Sequence, residues 1–502
     1  MSMDGFATPA GTQRFAQRHD GLAFNPLGRT GLWTSPAGFG SYRVNTDNEI
    51  QRNALNAALQ SGLNLIDTSA NYGDGGAELL IGQVLGQLVD RGELRRDEII
   101  LVSKAGYLQG QNLTLSQERK AAGNPFPDLV EYMPGLEHCI HPEFLADQLS
   151  RSLERLGVVT LDIYLLHNPE YYLSWAVKAG LPLPEARAEY YRRLGLAFTH
   201  LESEVAAGRI RGYGLSSNSL PHPADAADFT SLQEILDLVQ SRGLENFHCI
   251  QLPANLLETG AFTEANQPGG LTVLQLAAAT GIATLINRPL NAITADTLYR
   301  LASVPPMAAP DEAEVSTAVD RLAGLEAQFE AEILPGLLLG AQEKERVPAL
   351  LVTGRILAQR WYDLGNWQQW QDIQATAFIP RLRAIAELLL QRRNLPTGAQ
   401  AWLEQYAVQA ETALSLVRRL YQAQGAEIAQ KLQDAAQQAD PAWEAPTLSQ
   451  SALRALRSSI GVDCVLVGAR QVAYVADVMR ELFRPVAREE RWGSWERLAD
   501  SC

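Results

Sequence analysis

Residues 63–77 read LNLIDTSANYGDGGA. The stretch begins as a short apolar run and ends in a polar, glycine-rich loop. That is the pattern of a buried parallel strand running out into a loop that carries chemistry. Asp67 stands where the run ends, and Tyr72 follows five residues on. One Asp and one Tyr establish nothing alone, so the reading turns on what else the chain brings to them.

The same rhythm repeats on either side. Residues 24–44 (FNPLGRTGLWTSPAGFGSYRV) read as a short β-hairpin followed by a first strand ending at 38–42. Strands are expected over 63–69, 98–106 (EIILVSKAG), 160–168 (TLDIYLLHN), 210–217 (IRGYGLSS), 247–254 (FHCIQLPA), 282–289 (IATLINRP) and 462–469 (VDCVLVGA). Between them, helices are expected over 47–61, 77–90, 142–156, 186–207, 231–242, 272–280, 448–459 and 472–483. Eight alternating units point to a (β/α)8 TIM barrel, whose active site lies at the C-terminal ends of its strands.

After Leu290 the rhythm stops, and no strand-like run appears until about Pro446. Helical spacing instead links Val315, Val319, Leu322, Leu325, Phe329 and Ile333, then Ile373, Phe378, Leu382, Ile385 and Leu389, then Leu403, Tyr406, Ala410, Leu414, Val417 and Leu420. The expected organisation is a barrel over 24–290 and 447–485, an α-helical insertion over 291–446 at the C-terminal face, and a C-terminal tail over 486–502. The insertion reads as a bundle that stabilises the rim or forms a homo-oligomer contact. A sharper reading makes it a lid, with Trp361, Trp367 and Trp370 facing the cleft. Loops 107–141 and 170–184 follow strands and are expected to shape the pocket.

Composition narrows the classes. At 502 residues with 46% hydrophobic and 20% charged residues, the chain reads as globular and large enough for a barrel plus an insertion. A net charge of −15 argues against a nucleic-acid or anionic-membrane surface, leaving room for a local phosphate pocket. The first fifteen residues lack the apolar core of a secretory signal, and no apolar run reaches bilayer length. The cysteines, Cys139, Cys249, Cys464 and Cys502, show no CxxC spacing. His138, Cys139 and His141 have no partner cluster, so no metal site is expected. The chain reads as reduced and cytoplasmic.

Four titratable groups fall at successive strand ends: Asp67, Tyr72, Lys104 and His167. A phenol has a pKa of about 10, and a nearby ammonium lowers it. Lys104 is expected to supply that charge, Asp67 to hold Lys104, and His167 to donate a hydrogen bond to a substrate carbonyl. Together they make a device that protonates an oxygen as it gains negative charge, which carbonyl reduction by hydride requires.

At these residues the chain resembles the aldo-keto reductase family. The motifs are LGRTGL (27–32), NLIDTSANYG (64–73), LVSKAG (101–106), RSLERLGVVTLDIYLLHNPE (151–170), GRIRGYGLSSNS (208–219), NRPL (287–290) and VLVGAR (465–470), in the family's order. The resemblance implies a barrel binding NADP(H) or NAD(H) across its C-terminal face, with Asp67, Tyr72, Lys104 and His167 as the catalytic four and Tyr72 as general acid–base. It implies cofactor contacts at Ser41, Tyr42 and Asp67. The carboxamide pair falls on Ser216 with Ser217 or Asn218, and Gln251 is a second carboxamide contact. The strand-seven loop Asn287, Arg288, Pro289 and Leu290 and the phosphate segment Gly468, Ala469 and Arg470 complete the set, with Tyr474 and Asp477 near the adenosine. Asn287 replaces a stacking Tyr, Arg288 adds a cation, and Tyr474 replaces a common Arg. NADP(H) is favoured over NAD(H). The expected activity is reduction of a small aldehyde or ketone to an alcohol, with no nucleic-acid or membrane partner. The family also contains regulatory barrels of the potassium-channel β-subunit type, which is the alternative function.

Overall fold

The computed structural model describes residues 3–294, 297–392 and 394–501, so Cys502 lies outside the described residues. The eight-stranded barrel expected from the sequence is present. Its strands are β1 (Ala37–Gly40), β2 (Leu65–Asp67), β3 (Ile100–Ala105), β4 (Leu161–His167), β5 (Ile210–Ser216), β6 (Phe247–Pro253), β7 (Ala283–Asn287) and β8 (Cys464–Val467). Each pairs in parallel with the next, and β8 pairs with β1 to close the barrel. Inside it Leu65, Ile100, Val102, Ile163, Leu165, Leu285 and Leu466 form one apolar cluster.

The helices between strands are α1 (Glu49–Gln60), α2 (Gly76–Asp90), α3 (Pro142–Leu156), α4 (Leu183–Ala206), α5 (Leu232–Ser241), α6 (Val273–Thr280), α7 (Leu448–Arg457) and α8 (Val472–Leu482). Helix α3 shows why they form where they do. Pro142 opens it, where a missing N–H costs nothing; Phe144, Leu145, Leu149 and Leu156 make its buried face; and Gly157 ends it at φ 64.

Several segments are more ordered than the sequence suggests. Helix Pro9–Arg18 precedes the hairpin, and its Arg14 and Arg18 pair with the buried Glu98. The loop 107–141 holds a helix, Gly110–Ala121, and a three-stranded sheet (Tyr107–Leu108, Leu136–His138, Val130–Met133). The loop 170–184 holds helix Tyr171–Lys178. Residues 486–502, expected as a tail, contain helix Trp492–Ser501, whose Trp495 is fully buried and stacks on Phe262 at 4.0 Å.

The chain divides into two compact units, Met1–Ala292 with Ala435–Cys502, and Ile293–Asp434. After the seventh barrel strand comes a two-stranded sheet (Asn291–Thr294, Thr297–Arg300) where the sequence shows no strand signal. Seven residues of this stretch are polar or small, so apolar alternation gives no cue. From Glu312 on the second unit is mostly helical, and the 41-residue helix Ala399–Ala439 begins in it. Its core contains the expected face Val315, Val319, Leu322, Leu325, Phe329 and Ile333. Trp370 belongs to that core too, fully buried and stacked on Tyr421 at 5.6 Å. It therefore does not line a cleft. Among the described residues no helix is long and apolar enough to cross a membrane.

Candidate active site

Register brings the strand-end residues level. Ser216 pairs with His167 on one side and Gln251 on the other, and Lys104 pairs with Leu165, two residues before His167. The four expected groups do meet. Lys104 Nζ donates to Asp67 Oδ1 at 2.6 Å and Oδ2 at 2.7 Å, with Lys104 wholly buried. Gln251 Nε2 donates to the same Asp67 Oδ1 at 2.7 Å, and Ser216 Oγ donates to Gln251 Oε1 at 2.9 Å. Burial lowers the Lys104 pKa while Asp67 opposes the shift.

Tyr72 opens a short turn, Tyr72–Gly75. Gly73 has φ 57, and a Cβ there would press within 2.8 Å of the Val44 carbonyl. The Tyr72 ring lies edge-on to His167 (5.8 Å) and to Tyr42 (5.4 Å), with Lys104 Nζ 5.2 Å from its centre. Its pKa departs from expectation. Burial raises the phenol well above its ordinary value, and Asp67 adds to the rise. Lys104, whose ammonium also serves both Asp67 oxygens, does not reverse the rise. Tyr72 is therefore a protonated phenol. Burial, and then the Lys104 charge, pushes His167 well below its ordinary pKa, so its imidazole is neutral.

The sequence reading missed four neighbours. Ser69 Oγ sits 2.9 Å from His167 Nδ1. It lies inside the opening stretch, two residues past Asp67, where alternation alone could have flagged it. His138 Nε2 donates to the His167 carbonyl at 2.7 Å; burial lowers its pKa to about 4. Gly106 makes room for this, since a Cβ there would lie 2.4 Å from that carbonyl. Tyr107 packs edge-on to His167 at 4.6 Å and accepts from Asn168 Nδ2. Glu170, directly after the His-Asn-Pro run, is buried, and burial pushes its carboxyl up to about 7. One Glu170 oxygen accepts from Asn218 N at 2.8 Å; the other has no partner among the described residues.

The remaining expected cofactor contacts divide in two. Ser41 Oγ, Thr68 Oγ1 and Asn287 Oδ1, at or just after the ends of β1, β2 and β7, are buried polar atoms without partners among the described residues. Gly468 is open, Pro289 is buried and Leu290 half-buried, and Tyr42 and Tyr474 are exposed. Ala469 is buried, and Arg470 makes no ion pair among the described residues. Others are already engaged. Ser217 is wholly buried beside Ser219 Oγ, which leaves Asn218 as the more open of the two alternatives. Arg288 pairs with Glu258 at 2.5 Å rather than standing as a free cation. Asp477 accepts from Ser449 Oγ and Gln450 Nε2, both at 2.7 Å. Strain collects here as well: Arg43, Asp74, Asn168 and Arg288, in loops after β1, β2, β4 and β7, hold left-handed backbone, at a cost of roughly 1–3 kcal/mol each.

Comparison with known proteins bears on this geometry. The Aldo/keto reductase family model matches residues 31–299, just over half of the chain. The NADH-specific methylglyoxal reductase of Escherichia coli (strain K12) is 26% identical over 271 residues, covering 49% of this chain and 72% of that protein. The aldo-keto reductase YhdN of Bacillus subtilis (strain 168) is 24% identical over 243 residues, covering 47% of this chain and 55% of its own. Among solved structures, the holo form of an aldo-keto reductase from Bacillus halodurans aligns at 20% identity and a TM-score of 0.35, over 54% of this chain and 67% of that one. The chain belongs to the aldo/keto reductase family.

Proposed function

We propose that this protein is an NAD(P)H-dependent reductase of aldehydes or ketones in which Tyr72 gives the proton to the carbonyl oxygen. The observation that carries the reading is the buried Lys104–Asp67 pair beneath the Tyr72 ring, with neutral His167 edge-on to that ring. A phenol held in its protonated form suits donation to an oxygen that becomes an alkoxide. The buried ammonium stabilises the negative charge as it develops, and its low-dielectric setting strengthens that effect. Asp67 keeps Lys104 charged and aimed.

The unpartnered Ser41, Thr68 and Asn287 atoms at three strand ends fit a polar ligand lying across the barrel mouth. In this reading Ser216, Asn218 and Gln251 hold the carboxamide of the nicotinamide, and Gly468, Ala469 and Arg470 hold phosphate. The bound dinucleotide supplies the hydride. Arg470 remains the cation for a phosphate, since Arg288 is held by Glu258; this supports NADP(H) over NAD(H). The substrate is a small carbonyl compound.

Tyr72→Phe tests the proposal. Turnover of a carbonyl panel should fall by about 10²–10⁴-fold, the usual worth of a positioned general acid, while NAD(P)H still binds in a fluorescence titration. Turnover unchanged by the substitution would refute it.

A further inference from the structure

The loop 107–141 folds back onto the end of β4. Tyr107 and His138 are direct cross-strand partners in its small antiparallel sheet, so their side chains share one face. That face meets the step from His167 to Asn168. His138 Nε2 lies 2.7 Å from the His167 carbonyl oxygen. A carbonyl only accepts, so Nε2 carries a proton and donates it. The Tyr107 hydroxyl and the Asn168 amide are 2.6 Å apart, a hydrogen bond in either orientation of the amide. The Tyr107 ring stands edge-on to both histidines, 4.6 Å from His167 and 5.6 Å from His138. From β5, the Ser216 carbonyl accepts from Asn168 N at 2.7 Å.

The peptide between His167 and Asn168 is thus held at both ends, its carbonyl by the loop and its N–H by β5. Asn168 has φ 49, a left-handed conformation that persists where the surroundings impose it. Gly106 leaves room for the grip, since a Cβ there would lie 2.6 Å from His138 Nε2. We propose that His138 and Tyr107 are positioning residues, clamping the His167–Asn168 step so that the His167 ring keeps its place beside Tyr72. The catalytic consequence rests on the reductase reading above; the hydrogen bonds do not. Both residues act through His167 rather than on the reacting atoms. The proposed cofactor contacts at Gln251 and 468–470 lie on other strand ends, so loss of the clamp lowers kcat and spares NADPH binding.

Two variants separate the hydrogen bond from the bulk of the side chain. His138→Gln keeps an N–H that can reach the carbonyl, and His138→Leu does not. The Gln variant should keep most of the wild-type kcat. The Leu variant should lose about tenfold, the worth of one hydrogen bond, with the Kd for NADPH unchanged in a fluorescence titration. Equal kcat in the two variants overturns the proposal, as does NADPH binding lost together with turnover. Tyr107→Phe keeps the ring and removes the hydroxyl. Its kcat should fall about threefold with NADPH binding retained, and an unchanged kcat overturns the proposal even if His138→Leu does not fold. A measurement independent of turnover is NMR of protein labelled with ¹⁵N at histidine. The His138 Nε2–H signal, identified by its loss in His138→Gln, should exchange slowly with solvent; a missing or fast-exchanging signal overturns the clamp. A wild-type protein that reduces no carbonyl would sink the Tyr72 reading and leave this signal to judge the clamp.

Discussion

Two buried glutamates separate the two units of this molecule. In the insertion unit, Glu326 is fully buried and wholly used. It accepts from Gly354 N at 2.8 Å, Arg355 N at 3.1 Å and Tyr406 Oη at 2.9 Å, capping the helix Thr353–Arg360. In the barrel unit, Glu170 is almost as buried but leaves one oxygen bare. The contrast extends beyond this pair. The insertion buries aromatic and aliphatic side chains around Trp370, Trp402 and Tyr421. The barrel mouth buries an ion pair, a neutral histidine and unpartnered hydroxyls, and holds four residues in left-handed backbone. One region is built as a core. The other gathers an ion pair, a neutral histidine and four strained non-glycine residues around one mouth, which marks a site shaped for chemistry.

The comparison breaks most sharply at Lys104. Lys104→Met leaves the Asp67 charge buried without its ion partner, which should lower stability by about 3–5 kcal/mol and abolish carbonyl reduction. A small loss in urea denaturation would mean the mouth is wetter and less costly than its burial implies. In the insertion, Trp370→Ala removes a fully buried ring and should cost about 3–5 kcal/mol in that unit's unfolding, with carbonyl reduction retained. Turnover lost along with Trp370 would show that the insertion takes part in catalysis.

Glu170 sharpens the contrast through pH. Its pKa is raised to about 7 in the folded chain, so folding favours the protonated carboxyl. The stability this group contributes is complete below its unfolded pKa and is lost as pH rises through about 7. Glu170→Gln should therefore stabilise the protein at pH 8 by up to about 3 kcal/mol and change little at pH 4. Melting temperatures at both values provide the check, and an equal effect at both would show that folding does not raise the Glu170 carboxyl. The smallest effect is expected at Arg470. Arg470→Ala should raise KM for NADPH by about tenfold, one charge-assisted contact, with less change for NADH. Equal changes for both would remove the basis for preferring NADP(H).

The sequence made the barrel legible because each β/α unit carries its own periodicity, and strand ends mark themselves where apolar runs stop. Asp67, Lys104 and His167 could be placed that way. It could not show what each side chain touches. The Gln251–Asp67 contact joins residues 184 positions apart, and the Ser69–His167 contact spans 98. Such contacts leave no mark on local spacing. The same limit hid the pairing of Arg288 with Glu258 and the placement of Trp370 in a core.

By itself, then, the sequence determined the alternation that closes a barrel and the residue types at its mouth, because local hydrophobic pattern fixes secondary structure and facing. Only the tertiary structure decided the protonation states. The opening stretch offered Asp67 and Tyr72 as an acid and a phenol. Burial decided that Tyr72 keeps its proton and that His167 is neutral, because desolvation depends on atoms brought in from strands far along the chain.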